Sequence, residues 1–77
     1  MNVSFFPNPA SDIIHINLPF EDKGVLSIFD LTGREIVHEY FEKKNNITFN
    51  ISTFAKGIYL LKLKTSKGNF IKKFIKE

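Results

Sequence analysis

The sequence predicts an all-β domain, a small sandwich or barrel of antiparallel strands, on two observations. Clusters of turn-forming residues recur about every ten residues, with short apolar runs between them. Within several runs apolar and polar residues alternate, which is the period of a strand with one buried face. The chain has 77 residues, which is the size of one small domain, so residues 1–77 are expected to fold as a single unit.

Seven apolar runs are predicted to be strands. In chain order they are VSFF (3–6), IIHINL (13–18), VLSIFD (25–30), REIVHEYF (34–41), ITFNI (47–51), IYLLKLK (58–64) and NFIKKFIK (69–76). Three of them supply inward-facing rows, which are Ile14, Ile16 and Leu18; Ile47, Phe49 and Ile51; and Tyr59, Leu61 and Leu63. The last run also fits one face of a helix, but eight residues make a marginal helix, so a strand is predicted there.

The first turn cluster, FPNPASD, is expected to be rigid. Pro7 and Pro9 lack an N–H and fix φ, and each restricts the residue before it to extended conformations. The residues from Phe6 to Asp12 are therefore expected to be neither helix nor the middle of a paired strand. Residues 1–11 are predicted to be a stiff segment that leads into the first long strand.

Two other clusters, DLTG and TSKG, share one design. In DLTG, Asp30 opens the turn and Gly33 closes it, while in TSKG the closing residue is Gly68. Both are predicted to be three-residue bulged hairpins, with a type I turn followed by a left-handed glycine. A third glycine, Gly57, is expected to end the STFAKG turn in the same conformation.

The bulged turns also predict a register for the two hairpins. Ile28 should pair with Ile36, and Leu63 should pair with Ile71. With that register Lys73 lies on the inward row, where a lysine protects an exposed edge strand from aggregation.

Composition argues against nucleic acid and against a membrane span. The net charge is +3, but ten of the eleven basic residues are lysines, and they are scattered rather than gathered into a stripe. No apolar run approaches the roughly 20 residues of a membrane-spanning helix. The chain has no cysteine, and its nine phenylalanines are expected to supply the core that disulfides or a metal would otherwise support.

Catalytic residues, metal ligands and a cofactor are not expected. His15 and His38 are the only candidates for a general base or ligand, and each lies within a predicted strand. Two histidines without cysteine make a poor zinc site. No nucleophile elbow, phosphate-binding loop or dinucleotide fingerprint occurs.

Four blocks in order resemble the type A C-terminal sorting domain of the type IX secretion system of Gram-negative bacteria. They are FPNPASDII (6–14), IFDLTGREI (28–36), ISTFAKGIYLLKL (51–63) and a final lysine-bearing strand. The likeness covers essentially the whole chain. It departs mildly from the family at Phe6 and Phe29, where the family often has tyrosine, and at Phe54, where leucine is usual.

The resemblance implies a fold, a route and partners. Such domains are small immunoglobulin-like β-sandwiches, here of about seven strands, attached behind an N-terminal cargo domain. The cargo crosses the periplasm and passes through the outer-membrane translocon with its shuttle components. At the cell surface a sortase-like peptidase removes the domain, and the cargo is anchored there or released.

The resemblance also implies which residues carry the sorting signal. They lie in the terminal hairpin, residues 57–77, and just before it: Lys56, Gly57, Tyr59, Leu61, Lys73 and Lys76. The segment Pro7, Asn8, Pro9 and Asp12 would be a collar between cargo and sandwich. Residues 69–76 are expected to form an edge strand whose free backbone groups a partner can bind.

A second class remains open from the residues themselves. A stand-alone immunoglobulin-like adhesion or carbohydrate-binding module has the same fold, because fold does not fix function. Sugar-binding modules usually display a row of exposed aromatics, and Phe29, Tyr40 and Phe41 are not assigned to either face by the sequence.

Overall fold

The computed structural model describes residues 3–77, and within them every regular element is a β-strand. The strands are β1 (Ser4–Phe6), β2 (Ile13–Phe29), β3 (Glu35–Asn50), β4 (Gly57–Thr65) and β5 (Gly68–Lys76). The all-β prediction is therefore confirmed, and so is a strand in place of a helix for the last apolar run.

The strands form one curled antiparallel sheet organised around β2. The first half of β2 pairs with β1 and with the second half of β3. The second half of β2 pairs with the first half of β3 on one side and with β4 on the other, and β5 completes that side beyond β4. The order is thus β1-β2-β4-β5, with β3 also paired to β2.

The predicted number of strands was wrong, since there are five among the described residues rather than about seven. Each of the seven apolar runs lies in a strand apart from one end residue in four of them (Val3, Asp30, Arg34 and Ile51), but the clusters PFEDKG and EKKNN do not end a strand. They lie opposite each other in the β2–β3 ladder, where Asp22 pairs with Lys44 between two register shifts. Lys43 takes up the irregularity with a positive φ of 53°. The two clusters stay paired, so they bend a long hairpin instead of breaking it.

The predicted inward rows form the core. Of their nine residues, eight are buried, and Phe49 is half-buried and packs against the others. Leu26, Ile28, Phe41 and Phe74 complete the buried set together with Ala10. Burying one such aliphatic or aromatic side chain contributes about 1.5–3 kcal/mol, which is what holds a chain of this size together.

The DLTG turn has the predicted conformation. The N–H of Gly33 donates to the C=O of Asp30 at 3.0 Å, and Gly33 has a φ of 86°. The register beyond it differs from the prediction, because Ile28 pairs with Val37. An additional bulge, at Ile36 between the pairs Phe29–Glu35 and Ile28–Val37, accounts for the shift of one residue.

The Asp30 carboxylate organises the same turn. It accepts hydrogen bonds from the hydroxyl and N–H of Thr32, and from the N–H and guanidinium of Arg34. These bonds, that of the Thr32 hydroxyl above all, hold the pKa of Asp30 below its ordinary value. A lowered carboxyl pKa stabilises the fold above the unfolded-state pKa, and the contribution is lost as pH falls through the folded-state pKa.

Asp30→Asn is therefore expected to lower the melting temperature at pH 7. The deficit relative to the wild type should shrink below about pH 4, where the wild-type carboxylate itself becomes protonated. Thermal melts of both proteins from pH 7 down to pH 2 test this. A deficit that stays constant across that range would contradict the assignment.

The TSKG turn corrects the prediction of a bulged loop. Thr65 pairs directly with Gly68, so only Ser66 and Lys67 form the loop. Gly68 has a φ of 133°, and neither loop residue has a positive φ. The backbone conformation that favours glycine therefore occurs at the residue after the loop, and the hairpin has no bulge.

The shorter turn moves the register of the last hairpin by one residue. Leu63 pairs with Phe70, and Leu60 pairs with Lys73 on the exposed face. The prediction that Lys73 lies on the inward row is therefore wrong. Lys72, which pairs with the buried Leu61, is the lysine on that row.

Alanine in place of Gly33 or Gly57 should destabilise the domain. Gly57 has a φ of 153°, and a Cβ at either position meets no atom within 4 Å. The cost is therefore conformational alone, about 1 kcal/mol or more. Urea unfolding of each variant measures it, and unchanged midpoints in both would show that alanine tolerates these conformations.

Candidate recognition site

The N-terminal proline segment lies against the outer edge of β5. The N–H of Ala10 donates to the C=O of Ile75 at 2.8 Å, and the N–H of Glu77 donates to the C=O of Ala10 at 2.8 Å. Ala10 and Lys76 thus form a parallel bridge, and Ala10 is buried. One residue of this segment acts as a short extra strand beside the end of β5.

The side chain of Asn8 continues that pairing toward the middle of β5. Its Oδ1 accepts the N–H of Ile75 at 3.0 Å, and its Nδ2 donates to the C=O of Lys73 at 3.5 Å. The amide group therefore substitutes for a backbone peptide of a neighbouring strand. We call residues 8–10, which cover this part of the edge, the clasp.

Both ends of the proline segment are held in place. Before it, the ring of Phe5 lies 5.5 Å from that of Phe74, and Phe6 stacks on His15 at 5.1 Å. After it, the C=O of Asp12 accepts the N–H of Ile51 at 2.7 Å. The segment is therefore anchored to the sheet on both sides.

What sequence reasoning missed is the partner of this segment. Pro7 and Pro9 bring no N–H of their own, so Asn8 and Ala10 supply its bonds to β5. An asparagine between two prolines was the available signal, because its side chain is the nearest group able to both donate and accept.

The residues implied as the sorting signal divide into core and surface. Leu61 is fully buried, and Tyr59 is buried with its hydroxyl donating to the C=O of Ala55 at 2.6 Å. Lys76 is 8% exposed, and its ammonium donates to the C=O of Glu77 at 2.9 Å. Lys56 and Lys73 are exposed. Gly57 is the first residue of β4, where it pairs with Lys76.

The hairpin β4–β5 is strongly basic. Residues 57–76 contain six lysines and no aspartate or glutamate, although the whole chain has a net charge of only +3. The exposed lysines lie on both faces, since Lys72 is on the inward row and Lys73 is on the outer one. The positive charge of the chain is thus concentrated on its last two strands.

The outer face of this hairpin is apolar as well as basic. Ile71 is 58% exposed and Leu60 is 39% exposed, and both face a groove of about 390 Å³. The groove is also lined by Leu31, which is 73% exposed, by the half-buried Phe29, and by Asp30 and Lys62. The sequence does not predict this groove, because its sides come from strands far apart in the chain.

Each of the two histidines contacts a neighbouring side chain. Nδ1 of His38 lies 3.1 Å from Oε2 of Glu35, a contact that is the main cause of the lowered pKa of Glu35. His15 stacks on Phe6. Residues 3–77 hold no cluster of three potential metal ligands, and they contain no helix that could cross a membrane.

The three aromatics left unassigned do not form an exposed row. Phe41 is buried and Phe29 is half-buried, whereas Tyr40 is 83% exposed and contacts His38 edge-on at 6.1 Å. An aromatic platform of the kind that binds sugars is thus not formed by these three residues.

Comparison with known proteins identifies the family of this chain. Residues 4–77 match the family described as the secretion system C-terminal sorting domain, which is the sorting domain of type IX secretion. A segment of an endo-acting ulvan lyase from Formosa agariphila is 35% identical to this chain over 68 residues. The match covers 88% of this chain but only 13% of the lyase. The chain belongs to the type IX secretion C-terminal sorting domain family, and its role is that of a sorting signal.

Proposed function

We propose that this domain directs an N-terminal cargo protein through the outer membrane by the type IX secretion system. The observation that carries the proposal is the family match over residues 4–77. The cargo would reach the translocon from the periplasm and then remain at the cell surface or be released. A sortase-like peptidase would remove the domain there, and the rigid segment at Pro7 and Pro9 would keep the cleaved linker away from the sheet.

The relative supports an enzyme as the cargo. It is named as an ulvan lyase, and most of its length lies outside the segment that matches this chain. A polysaccharide-degrading enzyme is therefore the cargo class that we propose. The sorting domain itself is proposed to take no part in catalysis.

We also propose that the curled sheet is an immunoglobulin-like sandwich. The register shifts between Asn17 and Gly24 divide β2 into two halves with different partners, and each half would belong to one layer. An experimental structure with two layers about 10 Å apart would support this, and a single open sheet would refute it.

A fusion protein tests the sorting function directly. Residues 1–77 are placed behind a signal peptide and a fluorescent reporter in a bacterium with a working type IX system. We expect the reporter at the cell surface or in the medium, and in the periplasm of a matched strain without the translocon. A reporter that stays in the periplasm of both strains would refute the function and favour the stand-alone module.

The exposed lysines of β5 are expected to contribute to export. Lys72→Gln with Lys73→Gln removes two charges from exposed positions, so folding should be retained. We expect export of the fusion to fall several-fold. Lys43→Gln with Lys44→Gln is the matched control, since it removes the other lysine pair, which lies on β3. Equal export from the two double variants would show that the position of the charge on β5 does not matter.

A further inference from the structure

One side of β5 has no neighbouring strand along part of its length. In the part of the chain that the structure describes, β5 pairs with β4 on one side, and on its other side only the clasp bonds to it. The clasp reaches from Glu77 to the C=O of Lys73. The edge is open from Asn69 to the N–H of Lys73.

The direction of the backbone groups on this edge follows from the bonds of Ile75. Successive residues of an antiparallel strand turn their N–H and C=O alternately toward and away from the paired strand. Ile75 bonds to the clasp, so it points away from β4. The β4–β5 register has no shift, so Asn69, Ile71 and Lys73 point the same way. The N–H and C=O groups of Asn69 and Ile71 and the N–H of Lys73 form a row that another strand could pair with, while the C=O of Lys73 bonds to Asn8.

The side chains beside this row define what would pair with it. On the outer face, Ile71 presents an apolar surface next to the groove, and Lys73 follows it. Lys72, which lies between Ile71 and Lys73 in the sequence, is on the inward row and is exposed. Residues 57–76 contain six lysines and no acidic residue, so the side chains of the hairpin itself carry positive charge on both faces, and Asp30 is the acidic residue that lines the groove. Acidic and apolar side chains in alternation would complement them.

We propose that the open edge of β5, Asn69–Lys73, is a docking site for an extended segment of a partner protein with alternating acidic and apolar residues. The segment adds a strand to the sheet beyond β5, and the clasp limits its length by covering the edge from the C=O of Lys73 onward. This inference rests on the proposed sorting function, and it specifies how the export machinery would hold the domain. A second copy of this chain is a poor occupant, because it would bring two sets of six lysines together.

The main experiment removes one amide from the edge without touching the β4–β5 ladder. Ile71→Pro deletes an N–H that points away from β4, a position where a strand tolerates proline. Ile71→Val is the matched control, because it keeps the amide and an apolar side chain. We expect both variants to melt within a few degrees of the wild type. Export of the reporter fusion should fall at least about tenfold for proline and less than about twofold for valine.

The outcomes separate the edge from the sorting function. If the wild-type fusion is exported and a folded Ile71→Pro variant is exported as well as Ile71→Val, the docking edge is refuted while the sorting function stands. If the wild-type fusion is not exported, the sorting function fails by itself. In that case, or if the proline variant does not fold, a measurement on the purified wild-type domain decides.

That measurement uses two synthetic nine-residue peptides, one alternating valine with glutamate and one alternating valine with lysine. Amide exchange is followed by NMR in low salt. We expect the glutamate peptide to slow exchange at Asn69, Ile71 and Lys73 at least about tenfold, and the lysine peptide to leave it unchanged. No protection, equal protection by both peptides, or protection elsewhere only would overturn the proposal. Self-association of the free domain through these same amides would overturn it too.

Discussion

Replacing Gly24 with alanine is expected to leave the domain largely unfolded at room temperature. Gly24 lies where β2 pairs with Phe41 of β3 on one side and with Thr65 of β4 on the other. A Cβ at this position would lie 1.8 Å from the carbonyl oxygen of Lys64 and 2.9 Å from Cζ of Phe41. The closest contact is with backbone, so β2 and β4 would have to separate locally. Overpacking alone typically costs 1–3 kcal/mol, and backbone displacement adds to it, against a total of about 5 kcal/mol for a small domain.

Gly33→Ala is the matched control for this prediction. It makes the same chemical change, but at an exposed turn where a Cβ meets nothing within 4 Å. Circular dichroism and urea unfolding should give a cooperative transition for Gly33→Ala, displaced by about 1 kcal/mol, and little or no transition for Gly24→Ala. Equal midpoints would show that the strands accommodate a methyl group beside Lys64.

Gly24 also illustrates what the sequence could and could not predict. The alternation of Ile14, Ile16 and Leu18 identifies a buried face, because a period of two residues has one structural meaning. The cluster PFEDKG has two meanings, since the same residues end a strand or form a bulge within it. Which one occurs depends on whether a partner strand continues alongside, and here Lys44 pairs with Asp22. That pairing is long-range, so local sequence does not determine it.

The candidate site likewise has features that the local sequence predicts and features that depend on distant parts of the chain. The edge position of β5 was predicted, and the strand order β1-β2-β4-β5 agrees with it, while its lysines are read directly from the sequence. The length of the open edge was not, because the clasp that shortens it comes from the other end of the chain, where Asn8 reaches Ile75. The face occupied by Lys73 depended on one residue of turn length, and a shift of one residue moves a side chain to the opposite face.

Phe74→Ala is expected to abolish both folding and export. Phe74 is fully buried in the middle of the core, where its ring lies 5.7 Å from that of Tyr59 and 5.5 Å from that of Phe5. Truncating a buried phenylalanine to alanine costs about 3–5 kcal/mol, which is comparable to the whole stability of a small domain. Urea unfolding of the purified variant measures the loss. Phe70→Ala is the control, since Phe70 is on the same strand and face but only half-buried, so a smaller loss is expected.

The same argument determines how the end of β5 can be tested for signal content. Deleting residues 73–77 removes Phe74 together with the backbone groups of Ile75 and Glu77 that the clasp binds. We therefore expect the deletion to unfold the sorting domain, so that the reporter remains in the periplasm. The loss of cooperative melting should equal that of Phe74→Ala. Export assays and melts on both proteins check this. A deletion variant that melts cooperatively near the wild-type temperature yet fails in export would contradict it, and would assign the signal to residues 73–77 themselves.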